Sequence, residues 1–154
     1  RKQGDTLINS KGVLLMKEIT RDMIAEFKIN KLGYDFMGYT FRNNKELSFH
    51  HLIVARRYCK RMGLGDGYLK WNGAILKQST SHDYLHLIER IDEEIFWLLT
   101  SEMIQENIKG ELNIENLKRI RELLLYFEYK HQKDEDDKGR KLIKKEYIHN
   151  RIDL

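Results

Sequence analysis

The sequence predicts an α+β fold that is mainly helical, with a small antiparallel hairpin and its following helix flanked by additional helices. Three observations predict it. Apolar residues in the first half follow the two-residue period of strands, and from Ser79 onward they recur at helical spacing. Proline is absent from all 154 residues, which suits long helices. With 41% hydrophobic and 34% charged residues the chain has the balance of a globular protein, and its length points to one domain, 1–154.

Taken in order, Thr20 has the chemistry of a cap for a first helix running to about Asn30. Met23, Ile24 and Phe27 form its apolar stripe, and Gly33 ends it. GYDFMGYTF (33–41) reads as a strand and RNNKE as a turn, so a hairpin into LSFHHLIV (47–54) is expected. RRYCKRMGLGDGYLK (56–70) is an irregular loop with one helical turn at its start. Its glycines make no phosphate-binding fingerprint, because no Lys-Ser/Thr follows and no helix opens on them. WNGAILKQ (71–78) is a short second strand, with Trp71 expected in the core. Residues 79–110 form a helix with Ile88, Ile91, Ile95, Leu98 and Leu99 inward, and Thr80 with Asp83 resembles a capping box. From Asn113 a further helix turns Ile114, Leu117, Ile120, Leu124 and Phe127 inward. KDEDDKG is an exposed break before a basic terminal helix. The chain thus divides into an N-terminal helix and strand (1–46), a central motif (47–90) and C-terminal helices (91–154).

No apolar run approaches the ~18–20 residues of a membrane span. The patch Val13–Met16 is too short for a signal-peptide core. The single Cys59 excludes an intramolecular disulfide and a Cys-based zinc knuckle, reads as a small buried residue, and makes a reducing cytoplasm the expected compartment. Charge is unevenly spread: net +5 over 42–70, net −8 over 83–137 and net +5 over 138–151. Two basic zones of this kind suit a polyanion.

Four of the six histidines fall between residues 50 and 86. His50 and His51 are neighbours on an expected strand, so their side chains point to opposite faces. A buried imidazole without a partner costs roughly 1–3 kcal/mol, so the pair calls for partners elsewhere. H-D-Y-L-H supplies them. His82 and His86 are four apart on one helical face, a spacing that sets two imidazoles on one metal ion. One of the paired histidines completes a three-imidazole site while its neighbour stays outside. Singly, each histidine also reads as a hydrogen-bonded core or cap residue, and Asn72-Gly73 also reads as a hairpin turn. Their joint order favours chemistry.

That order, His-His, then Asn72, then His-x3-His, resembles the HNH endonucleases with a ββα-metal fold, particularly the nuclease domains of DNase colicins. The resemblance spans about Leu47 to Arg90. It implies that His50, His82 and His86 hold one divalent ion, Zn²⁺ or Mg²⁺, Mn²⁺ or Ni²⁺. It implies that His51 is the general base and Asn72 the central catalytic Asn, which positions base and loop or contacts the metal. The implied reaction is hydrolysis of DNA phosphodiesters to 5′-phosphate and 3′-hydroxyl ends. An imidazole pKa near 6.5 suits the base, and three neutral nitrogens with one open position suit a catalytic metal. The chain departs from the family in Val54-Ala55 after the strand, in a longer loop before Asn72, and in lacking a paired-Cys zinc ribbon.

Arg56, Arg57, Lys60, Arg61 and Lys70 are the expected DNA phosphate contacts. No base-reading element is recognisable, so backbone and shape should govern cleavage. The acidic helices 88–130 are the expected surface for a homodimer or a protein partner. The rival reading is a non-catalytic HNH scaffold that binds DNA or inhibits or regulates another protein complex. A weaker one is a structural metal site in which His51 also ligates.

Overall fold

The computed structural model describes residues 6–8 and 14–154, with side chains from Met16 onward; Val13 of the short apolar patch lies outside the described residues. The fold is α+β and mainly helical. β1 (Thr6–Ile8) and β2 (Leu14–Met16) pair antiparallel. α1 (Glu18–Glu26) starts before Thr20, which is buried within it rather than capping it. The one helix expected to Asn30 is two, because Lys28 takes a left-handed backbone at φ 55° before α2 (Ile29–Leu32), and Gly33 ends that helix at φ 79°.

The hairpin expected between 33–41 and 47–54 does not form, whereas the two strands of the central motif (47–90) do pair. Residues 33–41 form no strand, only two isolated antiparallel bridges, Tyr34 with Thr40 and Tyr39 with Arg151. Asp35 turns the chain there: its Oδ1 accepts the N–H groups of Met37 at 2.9 Å and Tyr39 at 3.0 Å. Gly38 supplies φ 83°, a conformation that strains any residue with a Cβ. β3 (Leu47–His51) is followed by one helical turn, α3 (Arg56–Cys59), and the glycine loop. It pairs antiparallel with β4 (Gly73–Lys77), setting His50 opposite Ala74 and His51 opposite Gly73. Asn72-Gly73 is therefore no hairpin turn. Gly73 is extended at φ −129°, and it is glycine for space: a Cβ there would lie 2.2 Å from the Phe49 ring. Trp71 is exposed, not in the core, because its neighbour Asn72 takes the inward position.

β4 runs into a five-residue π-turn, Gln78–His82, and then α4 (Asp83–Ile91). The capping box expected from Thr80 and Asp83 does not form, since the π-turn feeds α4 directly and Thr80 is buried within it. The long helix expected over 79–110 divides at Asp92, whose carboxylate accepts the Ile95 N–H to cap α5 (Glu93–Lys109). Leu98 falls outside the core while Ile88, Ile95 and Leu99 are buried. After Gly110, α6 (Ile114–His131) is capped by Asn113 and buries Leu117, Ile120, Leu124 and Phe127, with Ile114 outward. Of the basic terminal segment only α7 (Lys145–His149) is helical.

One contiguous core joins these elements, and Phe27, Phe36, Tyr39, Ile75, Tyr84, Leu99 and Phe127 lie inside it. The C-terminal segment is fastened to the same core. The Tyr147 ring stacks on Tyr84 at 4.6 Å, the Tyr39 hydroxyl donates to the Tyr147 carbonyl, and Arg151 pairs with Glu128 at 2.9 Å. No helix among the described residues is long and apolar enough to cross a membrane. Gly73→Ala should overpack the hairpin against Phe49 and lower stability by about 1–3 kcal/mol. A shifted urea midpoint at constant m-value would show it.

Candidate metal centre

The two-residue period of β3 divides the site. Ser48 and His50 turn toward α4, whereas Phe49 and His51 turn toward the glycine loop. On the α4 side, one ring nitrogen from each of His50, His82 and His86 lies within 4.8 Å of the others. The His50 ring centroid is 5.1 Å from that of His82 and 5.4 Å from that of His86, and the latter two are 4.9 Å apart. His82 closes the π-turn in α-helical backbone, so the four-residue spacing to His86 still sets both on one face.

Hydrogen bonds fix which nitrogens remain for an ion. Ser48 Oγ donates to the Leu76 carbonyl at 3.3 Å and therefore accepts from His82 Nδ1–H at 2.7 Å; Gln78 Oε1 lies 3.2 Å from the same nitrogen. The His82 lone pair is then on Nε2. The Glu89 carboxylate accepts from His86 Nδ1–H at 3.1 Å, which leaves Nε2 there as well. His50 Nε2 is buried with no hydrogen-bond partner, the arrangement of a nitrogen that waits for an ion. Burial, followed by the neighbouring imidazoles, holds His50 well below the usual imidazole range and pushes His82 down to about 3. Both are neutral, as metal ligation requires. The residues present fit a divalent ion on three nitrogens, which suits Zn²⁺ and related metals.

On the opposite face, His51 Nε2–H donates to the Asp66 carbonyl at 2.8 Å, so its basic lone pair is on Nδ1. The ring is bracketed by Phe49 at 5.1 Å and Tyr68 at 5.0 Å. Asn72 holds the backbone around it. Its Oδ1 accepts from Ile53 N–H at 2.9 Å and Val54 N–H at 2.8 Å, and its Nδ2 donates to the Val54 carbonyl at 3.0 Å and the Gly67 carbonyl at 3.2 Å. Those bonds occupy the whole amide, so in this structure Asn72 ties the segment after β3 to the glycine loop. Gly67 lets the loop close, since a Cβ there would lie 2.2 Å from Cys59 Sγ and 3.0 Å from His51 Cδ2.

The three-histidine cluster and His51 open onto one cleft of about 1120 Å³, whose wall carries Arg56, Arg57, Lys60 and Tyr58, with Trp97 also lining it. Arg61 and Lys70 do not line it. Arg61 lies over the Tyr58 ring at 5.9 Å, and Lys70 forms a surface ion pair with Glu26 at 2.6 Å. Ser48, Gln78, Glu89 and the Asp66 carbonyl were not legible as site residues. Only Glu89, three residues after His86, carried a local signal.

No protein-family model, no curated protein and no solved structure gives a match to this chain. Function must be argued from the site itself.

Ser48→Ala removes the group that orients His82, and should weaken metal affinity about 10–100-fold in a chelator competition. The metal-free protein should also show the neutral state of His82 in its pH dependence. The unfolded imidazole takes up a proton below about pH 6.5, and the folded one refuses it until about pH 3, so this contribution to stability is lost as pH falls through that window. Between about pH 6 and pH 4, wild type should lose about 1.4 kcal/mol per pH unit more than His82→Gln in urea unfolding with chelator present.

Proposed function

We propose that this protein is a metal-dependent HNH-type endonuclease that hydrolyses phosphodiester bonds in DNA. The observation that carries it is the division of one dipeptide between two faces: His50 joins His82 and His86, while His51 presents a basic nitrogen fixed by a backbone carbonyl. The order of hairpin, π-turn and helix around these residues supports the likeness to the ββα-metal nucleases.

A divalent ion held by His50, His82 and His86 supplies, when bound, neutralisation of the charge on the scissile phosphate and the leaving oxygen. His51 Nδ1 accepts a proton from water as the water oxygen bonds to phosphorus. The bond to the 3′ oxygen breaks and that oxygen takes a proton from solvent water, giving 5′-phosphate and 3′-hydroxyl ends. The Asp66 carbonyl keeps hold of Nε2–H throughout, so it steadies the imidazolium that forms. Arg56, Arg57 and Lys60 on the cleft wall hold flanking phosphates, Arg by a two-pronged contact and Lys as a point charge. Asn72 keeps the base and its loop in register. One site cuts one strand, so double-strand cleavage needs a dimer or a second encounter. The lone buried Cys59 agrees with a reducing cytoplasm.

A second reading rests on α6, where Leu125, Tyr126 and Tyr129 are exposed on one face. A scaffold that binds a protein partner without cutting would use such a stripe. Plasmid cleavage with added Mg²⁺, Mn²⁺, Ni²⁺ or Zn²⁺ separates the two. Wild type should cut, and His51→Ala should lose about 10²–10⁴-fold in rate while still holding metal. Wild type that holds metal yet never cuts would end the nuclease reading in favour of the scaffold.

A further inference from the structure

We propose that a second cleft, bounded by Arg90 and Lys144, is a phosphate-binding track, so that a DNA strand engaged at the three-histidine cluster continues over His86 into it. This rests on the nuclease reading and deepens it, because it assigns the second basic zone of the sequence a place on the substrate path.

Three observations carry it. The second cleft, of about 560 Å³, shares His86 with the first, so the two meet at a proposed metal ligand. Arg90 follows His86 by four residues on α4, on the same face, about 6 Å further along the helix axis. The opposite side of this cleft is built by the C-terminal segment through Lys144 and Tyr147. That segment is fixed, not loose: the Tyr147 ring stacks on Tyr84, Arg151 pairs with Glu128, and Ile152 N–H donates to the Gly38 carbonyl at 2.9 Å.

The charges on this cleft sort by availability. Arg140 is held by Asp136 at 2.7 Å, and Lys141 donates to the Gln132 carbonyl at 3.1 Å. Arg90 and Lys144 are exposed and have no ion-pair partner among the described residues. Lys144 Nζ stands 5.9 Å from the Tyr147 ring. Asp83 is the opposing acid on the wall, and counting the paired residues the lining remains net +2. A cationic cleft continuous with a phosphodiester-cutting site fits a phosphate backbone better than an acidic peptide, which would have no reason to pass over His86.

The test uses His51→Ala loaded with metal, so that DNA stays intact, and measures affinity for a short duplex across a salt series. Adding Arg90→Ala and Lys144→Ala should reduce the slope of log K against log salt by about 1.8, two phosphate contacts' worth for duplex. Lys138→Ala with Lys145→Ala, on the same segment but outside both clefts, should leave the slope unchanged. Equal metal content and melting temperature would confirm that each variant is folded. A wild-type slope in the Arg90/Lys144 variant would overturn the track while leaving the nuclease reading intact. Failure of the parent protein to bind DNA at all would overturn both.

Discussion

Asp35 is fully buried and accepts four hydrogen bonds, from the amides of Met37, Tyr39 and Lys77 and from the Ser81 hydroxyl; the geometry of the three-histidine cluster depends on that carboxylate. Burying a carboxylate costs several kcal/mol unless its oxygens are satisfied, so the four donors and the acid hold one another in place. Burial raises the Asp35 pKa while the Ser81 bond and the three amides act to lower it. One oxygen fixes the turn at 35–39. The other fixes the junction where β4 becomes the π-turn. A π-turn is uncommon and is frequent at functional sites. Here it brings Gln78 within reach of His82 Nδ1 and delivers His82 beside Ser48. The Asp35, Lys77 and Ser81 bonds favour that wide turn over a plain helix start.

Asn72 plays the matching part on the other face. It too is fully buried and spends its amide on four backbone groups, drawing the segment after β3 and the glycine loop together. The Asp66 carbonyl that orients His51 is carried on that loop. The site therefore has two supports, a carboxylate behind the three-histidine cluster and an amide behind the His51 loop. β4 runs between them from Gly73, next to Asn72, to Lys77, and β3 carries both histidines. Its alternation lets each face be positioned without disturbing the other.

Local periodicity made the chemistry legible and hid the scaffolding. The opposite faces of His50 and His51 follow from strand geometry, and the pairing of His82 with His86 from helical spacing. Gly110 reads directly as a terminator, and the next helix is placed from Asn113, which caps it. The strand expected at 33–41 was misread because its aromatic residues alternate, although Asp35 and Gly38 carried the contrary signal. The same Asp-x-x-Gly pattern recurs at Asp136 and Gly139, where the carboxylate again accepts the amides two and four residues on and the glycine is again left-handed. Lys28 and the π-turn had no such signal. Ser48 was invisible because a sequence does not say which hydroxyl will face an imidazole.

The three ligands are graded in exposure, and that gradient bears on what the centre is for. His50 is buried, His82 is nearly so, and His86 is open to solvent. A cation there would be walled by protein on the hairpin side and open toward the cleft that carries Arg56, Arg57 and Lys60. A structural site would close that opening with a fourth ligand. His51, the fourth ligand that a structural site would need by the sequence reading, is turned to the other face of β3 and bonded through Nε2 to a backbone carbonyl. The strand keeps the two neighbouring histidines apart: His50 joins the cluster with His82 and His86, while His51 is held on the other face by the Asp66 carbonyl.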